Sequence, residues 1–280
     1  MRTHTLTRAA GDIRSVCRAA CVADAARWMA SLAAHLPECA TSGSLAPADK
    51  AWAGTGARFR TPTGALVSLP ADYTAGAREM YCRNVYLRTG LIMPAANGWV
   101  VDLGANRGLF SVWAAVTGAA VVAVEAQQGF APLIRHLAAY NGVADRVHVE
   151  TAMAGGVTLS GAAVGVLASD SLWAGSSHGL PARPGGISMP ELMLKYDIAR
   201  VGLLKVDIEG GEFALFGAGE DLHWLSRVDQ MVLEVHGQHG DVASMVGRLR
   251  DAGFGVDLRD DAGDRVTVRS ERLAYAYCAR

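Results

Sequence analysis

The stretch VVDLGANRGLF, residues 100–110, decides how this chain reads. Val100 and Val101 belong to a short apolar run. Asp102 follows, then two glycines, Gly104 and Gly108, and then GLFSVWAAVTG (108–118), a helical stretch stopped by glycine. An apolar run, a glycine-rich turn and a helix make the first βα turn of an open α/β sheet. Gly104 and Gly108 allow a tight turn and let a ligand approach the backbone, while the helix N-terminus presents N–H groups. A dinucleotide fingerprint would need G-x-G-x-x-G and a phosphate-binding loop Gly-Lys-Ser/Thr; neither is present. The pattern D-x-G-x-N-x-G, with Asn106 inside the turn, suits a cofactor carrying an amino acid where a pyrophosphate would otherwise lie. Asp102 is then the expected partner of its ammonium, and backbone N–H groups those of its carboxylate.

Working outward, the run AVVAVEA (120–126) ends in Glu125, 23 residues after Asp102. An acidic residue about 20 positions on accepts the ribose hydroxyls in such folds. The alternation continues. GFAPLIRHLAAYNG (129–142) reads as a helix and RVHVETA (146–152) as a run. GISMPELMLKYD (186–197) is helical, VGLLKVDIE (201–209) a run and GEFALFGAG a helix. QMVLEVHG (230–237) is a run, VASMVGRLRDAG (242–253) a helix, and FGVDLRD (254–260) and RLAYAYCAR (272–280) are closing strands. Strands buried between two helix layers read as continuous apolar runs, so the fold class is a doubly wound, mostly parallel α/β sheet. The segment 153–185, rich in Gly, Ser and Ala and containing Trp173 and His178, is either a lid-like loop or short strands.

The 280 residues, 51% of them hydrophobic, are enough for one sizeable α/β domain with an appended segment, or for two small domains. A net charge of −1 with no basic stripe or polybasic run argues against a nucleic-acid or anionic-membrane partner. The five cysteines show neither zinc spacing nor a paired framework, which predicts free thiols in a cytoplasmic protein. The first 36 residues are interrupted by Asp12, Arg14, Arg18, Asp24 and Arg27, too often for a signal-peptide core or a membrane span.

Before the first strand, residues 12–36 predict one or two amphipathic helices, and 40–56 a small, polar linker. Residues 57–70 predict a hairpin around Thr-Pro-Thr-Gly, and 74–92 a helix. The organisation expected is an N-terminal helical extension and linker over 1–56, then a domain over 57–280. In that domain 57–97 caps the substrate side and 98–280 forms the core. Arg78, Arg83 and Arg88, five residues apart, predict a solvated spread. The Ala-rich N-terminal helices are expected either to pack on a partner subunit, forming a homo-oligomer, or to close over the same chain's sheet.

The stretch LLKVDIEGGE (203–212) runs from an apolar strand into three carboxylates and a Gly-Gly pair. Ligands in such sheets bind beyond the carboxyl ends of the strands. Asp207 and Glu209 share one face of the strand, as do Glu234 and His236 in VLEVHG. If the two strands are neighbours, all four side chains converge. His236, neutral near pH 7, is a candidate base. Asp207 and Glu209 are candidate wall residues of the site. Glu212 reads as a first-turn carboxylate favoured by the helix dipole, and Lys205 as an ion-pair partner for a strand-end carboxylate.

Taken together, VVDLGANRGLFS, VVAVEAQQG, AAYNGVADRVHV, LLKVDIEGGEFALF and VLEVHG resemble the FkbM family of S-adenosylmethionine-dependent methyltransferases, over about residues 58–260. The resemblance implies a Rossmann-like, seven-stranded sheet with an antiparallel final strand. It also implies S-adenosylmethionine as methyl donor, and a hydroxyl on a sugar or secondary metabolite as acceptor. Two departures stand out. EAQQG replaces the common Glu-Pro-Asn-Pro but keeps Glu125, and SMPE places Pro190 where the family often has Asp.

Methyl transfer requires the acceptor aligned with the carbon–sulfur bond, and a hydroxyl acceptor must also lose a proton to a base or on a metal. The catalytic candidates are His236, Asp207 and Glu209; the cofactor candidates are Asp102, Gly104, Asn106, Gly108 and Glu125. Asp207, Glu209, Glu234 and His236 could ligate a divalent ion, but the Asp-Asn type pair expected on the next strand is missing, so no metal is assigned. The expected activity is O-methylation of a small hydroxylated metabolite, with N- or C-methylation on the same fold as the alternative. A non-catalytic scaffold would show an eroded cofactor turn, and Asp102, Gly104, Asn106, Gly108 and Glu125 are all present. Nicotinamide chemistry is disfavoured by the missing third glycine.

Overall fold

The computed structural model describes residues 2–71, 73–74, 76–155 and 185–280. Trp173 and His178 lie outside them. The chain divides into two compact units, residues 1–85 with 140–142, and residues 86–139 with 143–280.

The first unit holds helices α1 (Arg2–Ala19), α2 (Val22–Ala34), α3 (Leu36–Ser42) and α4 (Ala46–Ala53), and strands β1 (Ala57–Arg60) and β2 (Leu66–Leu69), which pair antiparallel. The hairpin expected over 57–70 is present. It belongs with the helices, because the Cys21 N–H donates to the Arg58 carbonyl and the Arg58 N–H to Asp24. The boundary expected at residue 56 therefore falls inside this unit. The linker expected over 40–56 is instead mostly helical. Gly43, at φ +66°, ends α3, and Pro47 opens α4, whose Ala48 and Trp52 are buried. Buried apolar contact outweighs a small, polar composition here.

The helix expected over 74–92 shrinks to one wide π-type turn, Arg78–Cys82, and Asn84 and Thr89 then adopt positive φ. Arg78 and Arg83 are not solvated. Their side chains are 15% and 12% exposed, and Arg78 pairs with Asp12 at 3.0 Å and Asp49 at 2.9 Å. That network carries its own order where helical periodicity fails.

The second unit is the doubly wound sheet. Its strands are β3 (Trp99–Leu103), β4 (Ala120–Glu125), β5 (Val147–Thr151), β8 (Val201–Val206), β9 (Gln230–Glu234), β10 (Gly255–Asp260) and β11 (Leu273–Ala279). A two-residue parallel pair, β6 (Met153–Ala154) and β7 (Gly186–Ile187), stands apart. The seven strands lie in the order β10-β11-β9-β8-β3-β4-β5. All neighbours are parallel except β11, which runs antiparallel to both β9 and β10. The expected seven-stranded, Rossmann-like sheet is met, with the antiparallel final strand inserted one place in from the edge.

Helices α5 (Leu109–Val116), α6 (Phe130–Tyr140), α7 (Met189–Lys195), α8 (Glu212–Leu215) and α9 (Val242–Asp251) cover the sheet. Seven of the eight α5 residues are buried, the pattern of a helix enclosed on all sides. The core runs through Val101, Leu103, Val122, Val124, Leu204, Val206, Met231 and Leu233, all at 0–1% exposure, which is why these strands read as unbroken apolar runs. Pro190 now has a structural role: it opens α7, where Ser188 and Glu191 form a reciprocal capping box. The helix expected after Gly211 is a single turn, α8. No described helix is long and apolar enough to cross a membrane.

Candidate active site

The site is built on the loops that leave the carboxyl ends of β3, β4, β8 and β9, where ligands of open α/β sheets bind. The turn after β3 is held from β4. The Gly104 and Ala105 N–H groups both donate to the Val124 carbonyl at 3.0 Å, and the Gly108 N–H to Ala105 at 2.8 Å. Gly104, Asn106 and Gly108 all have positive φ, at +76°, +50° and +83°. At Gly104 glycine is obligatory. A Cβ there would sit 1.7 Å from the Asp207 carbonyl oxygen, so the β3 and β8 loops touch backbone to backbone.

Glu125 ends β4, buried, with one N–H on each oxygen: Asn106 on Oε2 and Gln127 on Oε1, both at 2.8 Å. Burial raises its pKa above the usual carboxylate value, and the two backbone donors partly offset that rise. Each carboxylate oxygen has a second acceptor position. Glu125 therefore fits a ligand that brings two hydroxyl donors, which is the chemistry of a ribose.

Asp102 is different. It has no exposure, Ser111 donates to its Oδ2 at 2.6 Å, and the Lys205 ammonium lies 3.1 Å from its Oδ1, an ion pair without full hydrogen-bond alignment. Asp102, the expected partner of a ligand's ammonium, already has the protein's own Lys205 ammonium beside it. Its influence on the turn passes through Lys205, which donates to the Gly104 carbonyl at 2.7 Å. Burial works to discharge Lys205, but Asp102 and Asp207 outweigh it and raise its pKa above the usual lysine value.

On the other side of Gly104, β8 and β9 are adjacent, so the carboxylates of LLKVDIEGGE and VLEVHG do meet. They form two groups. In the first, the Tyr86 hydroxyl lies 2.9 Å from Asp207 Oδ2 and 3.0 Å from Glu234 Oε2. In the second, His236 lies between Glu212 and Glu209, with Nδ1 3.0 Å from Glu212 Oε1 and Nε2 3.3 Å from Glu209 Oε2. Asp207, Glu209 and His236 each bring one donor atom within 4.8 Å of the others, a spacing that would also admit a divalent ion.

His236 is not the neutral imidazole expected of a base at pH 7. Burial pulls its pKa down, but the Glu212 hydrogen bond and the charges of Glu212, Asp207 and Glu209 push it up to about 9. Nor is Glu212 a simple first-turn carboxylate. It is fully buried and accepts from the His236 N–H at 2.8 Å and the Gly210 N–H at 2.9 Å, fastening the ends of β8 and β9 together. Tyr86 and Ser111 are working residues to which sequence reasoning assigns no role, and Glu212 is one whose role it misreads. Lys205 left a legible signal, a lone charge inside a buried strand.

Comparison with known proteins identifies the family. The model of the methyltransferase FkbM domain matches residues 102–256, more than half of the chain. The chain is 29% identical to the 31-O-demethyl-FK506 methyltransferase FkbM of Streptomyces tacrolimicus, covering 72% of this chain and 90% of that protein. It is 27% identical to the AMB antimetabolite synthetase AmbE of Pseudomonas aeruginosa, covering 71% of this chain but only 12% of that far longer one. The solved precorrin-6y C5,15-methyltransferase of Geobacter metallireducens is 15% identical, covering 71% of this chain and 87% of that one, at a TM-score of 0.41. The chain belongs to the FkbM methyltransferase family and is an S-adenosylmethionine-dependent methyltransferase.

Proposed function

We propose that the protein is an O-methyltransferase acting on a hydroxyl of a small secondary metabolite or sugar. The observation that carries this reading is the cluster of Asp207, Glu209 and His236 beyond β8 and β9, in backbone contact with the Gly104 turn. S-adenosylmethionine supplies an electrophilic methyl group on a sulfonium. The chain's residues divide the remaining work. Glu125 holds a diol, and the Gly104–Gly108 turn brings backbone close to the ligand. Asp207 and Glu209 are carboxylates within reach of an acceptor hydroxyl, able to take its proton as it attacks. His236, cationic and fixed by Glu212, orients Glu209 and offsets the negative charge that gathers there. A hydroxyl needs such a proton acceptor, while an amine acceptor needs it less; the density of carboxylates supports oxygen. The relative from Streptomyces tacrolimicus, named for the methylation of 31-O-demethyl-FK506, points the same way.

The test is incubation with S-adenosylmethionine and a panel of hydroxylated metabolites, read by mass spectrometry for the gain of one methylene unit. Turnover only of amines or carbon acids would overturn the oxygen assignment. Absence of S-adenosylhomocysteine binding in calorimetry would overturn the site itself.

A further inference from the structure

We infer that Tyr86 is a positioning residue of the transfer site, whose hydroxyl ties Asp207 to Glu234 and so aims the free oxygen of Asp207 at the point where methyl donor and acceptor meet. The inference rests on the reading of Asp207 as an acceptor-side residue. Three observations carry it.

First, the Tyr86 hydroxyl is the bridge between two strands. Asp207 follows β8 and Glu234 ends β9, and the phenol oxygen stands 2.9 Å from one carboxylate and 3.0 Å from the other. The one phenol proton is shared between the two carboxylates, and together with the Lys205 ammonium beside Asp207 it offsets their mutual repulsion. Burial and the charges of Asp207 and Glu234 hold the phenol's pKa well above its usual value, so Tyr86 remains a donor.

Second, the bridge leaves one face of Asp207 open. Tyr86 and the Lys205 ammonium, 3.5 Å away, both address Oδ2. Among the described residues no hydrogen bond or ion pair engages Oδ1, and the side chain is 23% exposed. A carboxylate pinned through one oxygen and open through the other is a directed acceptor, whereas an unpinned aspartate would turn about χ1 and χ2.

Third, Tyr86 itself is fixed. Its ring is buried, packs edge-on against Phe110 of α5 at 5.6 Å and against Tyr275 of β11 at 6.0 Å, and carries the Lys205 ammonium over its face at 5.4 Å. The same ammonium binds Asp102 and the Gly104 carbonyl. Tyr86 thus aligns the acceptor-side carboxylates to the same cation that holds the cofactor turn.

The experiment needs no known acceptor. Sinefungin is a cofactor analogue that carries an ammonium-bearing carbon in place of the methyl-bearing sulfur, so its extra charge occupies the place of the transferred methyl. Binding of sinefungin and of S-adenosylhomocysteine is measured by calorimetry on the full chain, wild type and Tyr86→Phe, with melting curves alongside. The Phe ring keeps the packing and deletes only the hydroxyl. The wild type is expected to prefer sinefungin, and Tyr86→Phe to reduce that preference by about tenfold while leaving S-adenosylhomocysteine affinity unchanged. Should the Phe variant fail to fold, Asp207→Asn, at a part-exposed position, carries the test through the group on which Tyr86 acts, and the preference is again expected to fall by at least about tenfold. Retention of the preference in either variant overturns the inference, as does a wild type that binds S-adenosylhomocysteine without preferring sinefungin. A wild type that binds neither ligand overturns the reading of the site on which the inference rests, a distinct result.

Discussion

Lys205 and Asp102 face each other across the parallel pair of β8 and β3, in direct register, with the ammonium 3.1 Å from the carboxylate and both side chains buried. Removing one partner of such a pair leaves an uncompensated charge in the interior. Lys205→Met should therefore destabilise the fold by about 3–5 kcal/mol in urea denaturation. The double variant Asp102→Asn/Lys205→Met, with no net charge left behind, should recover most of that loss. A double variant as unstable as the single one would show that Lys205 acts through packing and not through charge.

Gly104 offers a sharper test of the turn. Its φ of +76° costs a residue with a Cβ about 1–3 kcal/mol, and the Asp207 carbonyl stands where that Cβ would go. Gly104→Ala must push the β3 and β8 loops apart. The expected outcome is loss of S-adenosylhomocysteine binding in calorimetry, with far-ultraviolet dichroism largely retained because the sheet lies behind the turn. Unaltered binding would remove the turn from the cofactor site.

How much of this was legible beforehand follows from the physics of each signal. The alternation of strands and helices and the positions of Gly104, Glu125 and Asp207 could be read, because buried parallel strands are continuous apolar runs and βα turns need glycine at fixed places; the spatial order of the strands could not. Asp102 could be found but not its role, since nothing local reveals that Lys205, 103 positions away, meets it from the neighbouring strand. Tyr86 lay hidden among other tyrosines and arginines in a stretch whose helical spacing proved empty. Its importance comes from two carboxylates brought together by strand pairing, a tertiary fact. The first unit misled for the same reason: Trp52 and the Arg78 network order segments whose composition suggests a linker and a solvated spread.

Glu125→Gln should weaken S-adenosylhomocysteine at least about tenfold, since a hydrogen bond to a charged acceptor is worth more than one to a neutral amide. The amide also turns a donor toward one of the two N–H groups, of Asn106 and Gln127, that now hold the carboxylate. Calorimetry is the readout, and wild-type affinity in the variant would show that Glu125 serves the turn alone.

A divalent ion on Asp207, Glu209 and His236 would have to displace the proton that His236 holds between Glu212 and Glu209. With that imidazolium and the Lys205 ammonium already beside the carboxylates, turnover and melting temperature are expected to be unchanged by EDTA at neutral pH. A fall in either, restored by magnesium, would place a metal in the cluster.

His236 also ties stability to pH, and the sign can be worked out. Its folded pKa stands at about 9 against an ordinary 6.5, so the folded state binds this proton more tightly than the unfolded state. The resulting stabilisation is complete below about pH 6.5 and is lost as pH rises through about 9, a change of about 3 kcal/mol for a group this well buried. Urea midpoints should fall across that window in the wild type and much less in His236→Gln. The rate has its own signature. If Asp207 or Glu209 takes the acceptor proton, turnover is level between pH 7 and pH 8 and falls as His236 loses its charge. If His236 is the base, turnover climbs tenfold per pH unit up to about 9 instead. A climbing profile that flattens in His236→Gln would return His236 to the centre of the mechanism and move the carboxylates to its support.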